Sequence, residues 1–380
     1  MMAGLETGRG TENVALNLIK YKPKDVEIIV IEPRFTDGKR KSENEIKDTI
    51  GNNRIISVDL RPVENRFFVL QLYNLFVKRH ILKYVENIQR VNIYNEIRST
   101  DVVYLFYNLY SVFFSDLRIP IIGSLHTDSL EIFAINNHRS FLRGFYFKMK
   151  QKIYYKNING LHLFFDKNDA IIDPAIKYKM ILPNGVDTQI YYPNYNTENG
   201  RKRCLFNAAL SAKKGLDVLL PLIKKFKNNT RIEFHVAGSG EMREEIERDE
   251  KIIYHGVLSE MELAKLYKEC DIFIYPTGGD TYPLVILQAL SSGLYVLTSD
   301  IMKGVFDDVE GKYLEYLPRN VDAFYNRLIE ILTNNDPLNY DKHEEYNYIQ
   351  SNYDWKVIAN KFYSHIKDFY NENLQANNDL

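Results

Sequence analysis

Short runs of β-branched and apolar residues alternate with helical stretches over most of this chain, and no other feature limits its fold so strongly. Strands separated by helix-length segments are joined by crossovers, so the sheets they build are parallel and carry helices on both faces. The predicted strands of the first half are Val26–Ile31, Arg54–Val58, Asp101–Phe106, Pro120–Leu125, Gly160–Phe165 and Lys179–Leu182. Those of the second half are Arg203–Ala209, Arg231–Ala237, Lys251–Tyr254, Asp271–Tyr275 and Leu294–Thr298. The segment Tyr192–Lys202 between the two sets is polar and rich in turn formers, which makes it the linker. The expected architecture is α/β, with two doubly wound Rossmann-like domains facing each other across a cleft. In such sheets ligands lie at the carboxyl ends of the strands.

The chain has 380 residues, enough for two domains and a large core. Lys and Arg number 49 against 50 Asp and Glu, a formal net charge of -1, so nothing in the overall charge draws the protein to nucleic acid. Any basic site is therefore local. Cys204 and Cys270 fit no metal spacing, and two isolated thiols suit a reducing compartment. No apolar run reaches the roughly 20 residues of a membrane span, and no secretory signal is evident, so the expected location is cytoplasmic. At the start, only Met1–Thr7 precede the Gly8-Arg9-Gly10 loop, where a doubly wound domain would place a central apolar strand. Either that strand is very short or the chain begins late, and the late start is the expectation.

Three strand-to-helix turns in the second half carry candidate chemistry. The stretch Gly278–Gly293 reads GGDTYPLVILQALSSG and follows the strand Asp271–Tyr275. Asp280 or Thr281 suits an N-cap there, Pro283 the first turn and Gly293 the C-terminal stop. Such a helix start offers unpaired N–H groups and a positive dipole end to an anion. Gln288 is the one amide in an otherwise apolar helix, either a ligand contact or a partner for neighbouring backbone. Lys213 and Lys214 open a helix at a strand's carboxyl edge, where a lysine pair is otherwise solvated surface. Gly238-Ser239-Gly240 is a third strand–glycine turn, a pattern that tight turns require regardless of ligand.

These pieces stand in a meaningful order. Asn184-Gly185-Val186-Asp187, Tyr192-Pro193, Lys214-Gly215-Leu216-Asp217, Ala237-Gly238-Ser239-Gly240 and Tyr275-Pro276 with Asp280 through Gly293 resemble, in order and spacing, the GT-B-fold retaining glycosyltransferases of family 4 (glycosyl transferases group 1). The resemblance implies an acceptor-binding domain over 1–190, completed by a crossover helix at 354–372, and a nucleotide-sugar-binding domain over 200–350. It implies a hexosyltransferase-type enzyme that moves a sugar from a nucleotide diphosphate sugar to a hydroxyl on a glycan or lipid-linked acceptor, by front-face attack assisted by the leaving phosphate. No further cofactor and no metal are implied, and the sequence has no D-x-D signature. In the family two glutamates with seven residues between them contact the donor sugar and the ribose; here Asp280 and Gln288 hold those positions. Backbone amides at Thr281, Tyr282 and Leu284 would hold the distal phosphate, and Lys214 the diphosphate. Where the family has an Arg five residues before that lysine, this chain has Ala209. Lys213, or Arg9 in the loop with Gly10 that resembles the family's N-terminal glycine pair, would supply the missing charge. His126, at a strand's carboxyl end, would reach the donor sugar near the reacting carbon, and the base would sit near His255–Leu258.

The segment His138–Lys156 carries Arg139, Arg143, Lys148, Lys150, Lys152 and Lys156 interleaved with aromatics and holds no acid. It suits a half-buried helix with solvated lysines, an interfacial helix making peripheral contact with anionic lipid, or a single-stranded nucleic acid surface, in that order. The partners expected are a nucleotide sugar and its acceptor, and no nucleic acid. The alternatives to a transferase are an epimerase or phosphorylase of the same fold, and a non-catalytic glycosyltransferase-like subunit that binds and supports an active partner.

Overall fold

The strand pattern of the sequence is realised as parallel sheets in a computed structural model that describes residues 10–34, 53–59, 97–106, 111, 119–125, 155–165, 176–195, 200–334, 338 and 340–378. By its internal contacts the chain divides into two units. One comprises Met1–Pro183 with Ile358–Leu380, and the other Asn184–Val357. No helix among the described residues is long and apolar enough to cross a membrane.

In the first unit, helix α1 (Gly10–Lys20) buries Val14, Ala15, Leu18 and Ile19 along one face. Strands β1 (Ile29–Arg34) and β2 (Arg54–Asp59) pair in parallel, and β3 (Val103–Leu105), β4 (Ile121–Ser124), β5 (Gly160–Leu163) and β6 (Tyr178–Ile181) form a parallel set in that order. His162 on β5 is buried and neutral. The Tyr104 hydroxyl donates to its Nδ1 at 2.6 Å, its Nε2–H donates to the Leu182 carbonyl at 2.7 Å, and burial pulls its pKa down to about 4. The chain returns to this unit in its last helix, where the Tyr363 hydroxyl donates to the Leu18 carbonyl at 2.8 Å and Phe369 packs on Tyr178.

The second unit is built on β7 (Lys202–Asn207), β8 (Ile232–Ala237), β9 (Ile252–Gly256), β10 (Ile272–Tyr275), β11 (Tyr295–Ser299) and β12 (Leu314–Leu317). All six are parallel, in the order β12-β11-β10-β7-β8-β9. That is the doubly wound order, and its direction of winding reverses between β7 and β10, where a crevice opens at the strands' carboxyl ends. Helices α2 (Leu216–Lys225), α3 (Arg243–Glu247), α4 (Glu260–Lys268), α5 (Leu284–Ser291), α6 (Val321–Asn334) and α7 (Lys342–Tyr353) belong to the same unit, and α8 (Trp355–Asn378) leads out of it. Every predicted strand has a counterpart within a few residues, and β12 is the addition. It is a four-residue edge strand, followed by Pro318, whose residues alternate buried and half-buried, too short for its period to stand out.

One buried carboxyl group in this unit has a measurable consequence. Glu345 on α7 is fully buried, and burial pushes its carboxyl well above the ordinary range, with Lys342 and the Tyr340 hydroxyl pulling the other way. The folded state therefore holds a proton that the unfolded chain releases above about pH 4.3, so this group's stability contribution is complete below that pH and is lost as pH rises toward the folded value. Glu345→Gln keeps the shape and removes the titration. Its melting temperature is expected to exceed that of wild type by a margin that widens from pH 5 to pH 8, at up to about 1.4 kcal/mol per pH unit. Parallel melting curves at the two pH values would refute this.

Candidate active site

Two loops meet at the reversal point of the second sheet. The loop after β7 runs through Ala208 and Leu210 into a 3-10 turn, Ala212–Lys214, whose C-cap Gly215 has φ 107°. The loop after β10 runs from Pro276 through Gly278 and Gly279 to Pro283, which caps α5 with φ -71°. The Gly278 N–H donates to the Lys213 carbonyl at 2.8 Å and joins them.

That junction brings Lys214 to Asp280. The ammonium donates to Asp280 Oδ2 as an ion pair between half-buried side chains. Tyr275, the last residue of β10, is fully buried, and its hydroxyl donates to the same oxygen at 2.7 Å. The Thr281 N–H donates to Oδ1 at 2.9 Å. Burial and the adjacent Asp280 carboxylate push the Tyr275 phenol far above its usual range, so it stays a donor. Asp280 and Thr281 therefore do not cap the helix. Pro283 does, without a side-chain bond, because tertiary partners have claimed the Asp280 carboxylate. Gly293 ends α5 as expected, in the left-handed conformation at φ 74°.

The N–H groups of Leu284 and Val285 bond to no protein acceptor among the described residues, as first-turn donors commonly do, and Lys213, on the other loop, is exposed without an ion pair among those residues. Asn184 is buried and donates to the Tyr282 carbonyl at 3.3 Å, and Ser291 donates to the Tyr191 carbonyl at 2.5 Å. The segment Asn184–Tyr191 thus straps both ends of α5. Gln288 is half-buried and takes a 3.5 Å contact from the Tyr267 hydroxyl, which also receives the Asn207 amide at 3.3 Å.

Gly238 has φ 126°, a conformation side chains disfavour, and a Cβ on it would lie 2.0 Å from the Ala208 carbonyl oxygen. The glycine turn after β8 therefore seats the β7 loop, with the Leu210 N–H donating to the Ser239 carbonyl at 2.8 Å. Ala209 is exposed on that loop. His255 on β9 stacks on His235 with Nδ1 and Nε2 3.0 Å apart, and burial lowers both pKa values. Gly10 lies at the start of α1, while Arg9, His126 and residues 138–154 of the basic segment lie outside the described residues.

Two residues to which the sequence assigned no role organise this site. Arg319 follows β12, and its guanidinium donates to the Pro276 carbonyl at 3.1 Å, the Ala212 carbonyl at 3.2 Å and Asp217 Oδ1 at 2.6 Å. One planar fork thereby ties the β10 exit, the 3-10 turn and the start of α2. Only recognition of β12 would have flagged it, as a cation at a strand's carboxyl end. Tyr275 carried a signal of its own, a hydroxyl on the last residue of an otherwise apolar strand.

Solved structures share this architecture along nearly the whole chain. Sucrose-phosphate synthase from Thermosynechococcus elongatus superposes with a TM-score of 0.73 at 14% identity, covering 97% of this chain and 96% of its own. The Anabaena protein HepE, in complex with UDP and glucose, does so at 0.70 and 13% identity, covering 96% and 98%. The fold is GT-B. Residues 201–334, most of the second unit, match the family of glycosyl transferases group 1. An uncharacterized glycosyltransferase of Methanocaldococcus jannaschii is 24% identical over 43% of this chain, and the alpha-monoglucosyldiacylglycerol synthase of Streptococcus pneumoniae is 24% identical over 65%. The chain spans 44% and 63% of the lengths of these two relatives.

Proposed function

We infer that this GT-B protein transfers a hexosyl group from a nucleotide diphosphate sugar to a hydroxyl of a glycan or lipid-linked acceptor, with retention at the anomeric carbon. The observation that carries the reading is the meeting of Lys214 and Asp280, from separate loops, at the sheet's reversal point just before α5. A diphosphate dianion suits an ammonium and unpaired helix-start amides, and a carboxylate suits sugar hydroxyls.

In the transfer, the bond from the anomeric carbon to the phosphate oxygen breaks as the bond to the acceptor oxygen forms on the same face. The acceptor proton passes to the departing phosphate oxygen. Lys214, Lys213 and the N–H groups of Leu284 and Val285 offset the charge that develops on the leaving group. Asp280 orients the sugar, and Gln288 takes a ribose hydroxyl. The names of similar proteins support a nucleotide sugar as donor, since HepE was solved with UDP and glucose, and a lipid as acceptor, since one relative is named alpha-monoglucosyldiacylglycerol synthase. The reading as a non-catalytic subunit is not favoured, because Lys214 and Asp280, two of the groups that would contact a donor, meet.

Thermal unfolding with UDP, GDP, dTDP and ADP tests the reading. One of them should raise the melting temperature, by the equivalent of about 2.7 kcal/mol at a hundredfold excess over its dissociation constant. A protein that none of the four stabilises does not bind such a donor.

A further inference from the structure

Asp280 enters its site with most of its hydrogen-bonding capacity already used. An ionised carboxylate offers about four acceptor positions, two on each oxygen. On Oδ2 both are filled, by the Lys214 ammonium and by the Tyr275 hydroxyl at 2.7 Å. On Oδ1 one is filled, by the Thr281 N–H at 2.9 Å. A single acceptor position remains, on Oδ1. The carboxylate cannot bridge two neighbouring hydroxyls, and its plane is held by three donors that belong to the protein.

We propose that Tyr275 is a specificity-determining residue, which restricts Asp280 to reading one hydroxyl of the donor sugar through Oδ1. The proposal rests on the sugar-transfer reading above. Lys214 does not need to release Asp280 for this, because an ammonium has three N–H donors and two stay available for diphosphate oxygens. Tyr275 is rigid in this role: it is fully buried on a central strand, its carbonyl accepts from the Thr298 hydroxyl at 2.9 Å, and its ring packs against Phe273 and Phe206. A carboxylate fixed in one orientation with one open position distinguishes epimers, because the wrong epimer leaves that position unpaired.

The test uses the full chain and two variants, Tyr275→Phe and Asp280→Asn. UDP, GDP, dTDP and ADP are titrated by calorimetry to find the base that wild type binds. The glucose, galactose and mannose conjugates of that diphosphate are then compared. Wild type is expected to prefer one epimer by at least about fivefold. Tyr275→Phe, which opens a second acceptor position and frees the carboxylate to rotate, should compress that preference below about twofold while binding the bare diphosphate as wild type does. Asp280→Asn should lose the preference as well. If no bare diphosphate binds wild type, the donor reading fails and the proposal with it. If one binds but wild type shows no epimer preference, or Tyr275→Phe keeps it, the proposal alone is overturned. A Tyr275→Phe variant weakened equally toward bare diphosphate and conjugates would make the hydroxyl merely structural, which also overturns it.

Discussion

Replacing Lys214 by alanine is expected to lower turnover by roughly 10²–10³-fold with whichever donor the protein uses, the loss typical of removing one preorganised charge-stabilising donor. The reason is positional. Lys214 sits where the sheet's winding reverses, at the carboxyl end of β7, and Asp280 holds it beside the start of α5. Ala209 stands where the family resemblance leads one to expect an arginine, so under the proposed function this lysine would carry a larger share of the leaving-group charge unless Lys213 or Arg9 replaces that arginine. The fold should survive. The pair is about a quarter exposed on each side, 27% and 21%, and such pairs contribute at most about 1 kcal/mol to stability. Steady-state kinetics together with a melting curve separate the two effects. A variant that turns over within a few-fold of wild type would remove Lys214 from the leaving-group site.

Gly238→Ala should give the largest loss of stability, and its cause is backbone geometry. The new Cβ would lie 2.0 Å from the Ala208 carbonyl oxygen, and φ at this position is 126°. Neither neighbour is a flexible side chain, so the β7 loop has to move. Strain of this kind costs about 1–3 kcal/mol before the clash is counted, and a total above about 3 kcal/mol is expected. At about 2–4 °C per kcal/mol for a unit of this size, the melting temperature should fall by roughly 6–12 °C. Gly311→Ala is the control. Its φ of 77° is also left-handed, but nothing lies within 4 Å of its Cβ, so only the conformational part, about 1 kcal/mol, should appear. Equal losses at the two glycines would show that the contact with Ala208 is not what matters. Because that contact seats the loop leading to Lys213 and Lys214, Gly238→Ala should also weaken diphosphate binding.

The strand set and the order of the motifs were readable from the chain because both are local. A β-branched run bounded by turn formers declares itself within six or so residues, and β12 escaped because four alternating residues before a proline are too few. The glycines of the turn after β8 were visible as glycines. Their purpose was not, because it lies in the approach of Ala208, in the loop after β7 and 30 residues earlier. Reading Asp280 as a helix cap failed for a related reason. Local chemistry favours the cap, but the carboxylate has stronger partners in Tyr275 and Lys214, and Lys214 is 66 residues away in sequence.

Periodicity and turn chemistry were therefore enough to establish an α/β chain with parallel sheets and to place its candidate anion-binding turns, since short-range sterics and hydrophobic burial decide those features. Which turns meet was a matter of strand order. Only the pairing of β7 with β10 sets Lys214 against Asp280, aims the Tyr275 hydroxyl at the same carboxylate oxygen, and lets Arg319 brace three loops from the far end of the chain's second sheet. These contacts are long-range hydrogen bonds between side chains of ordinary composition. They leave no trace in local patterns, because each partner would look the same beside any other.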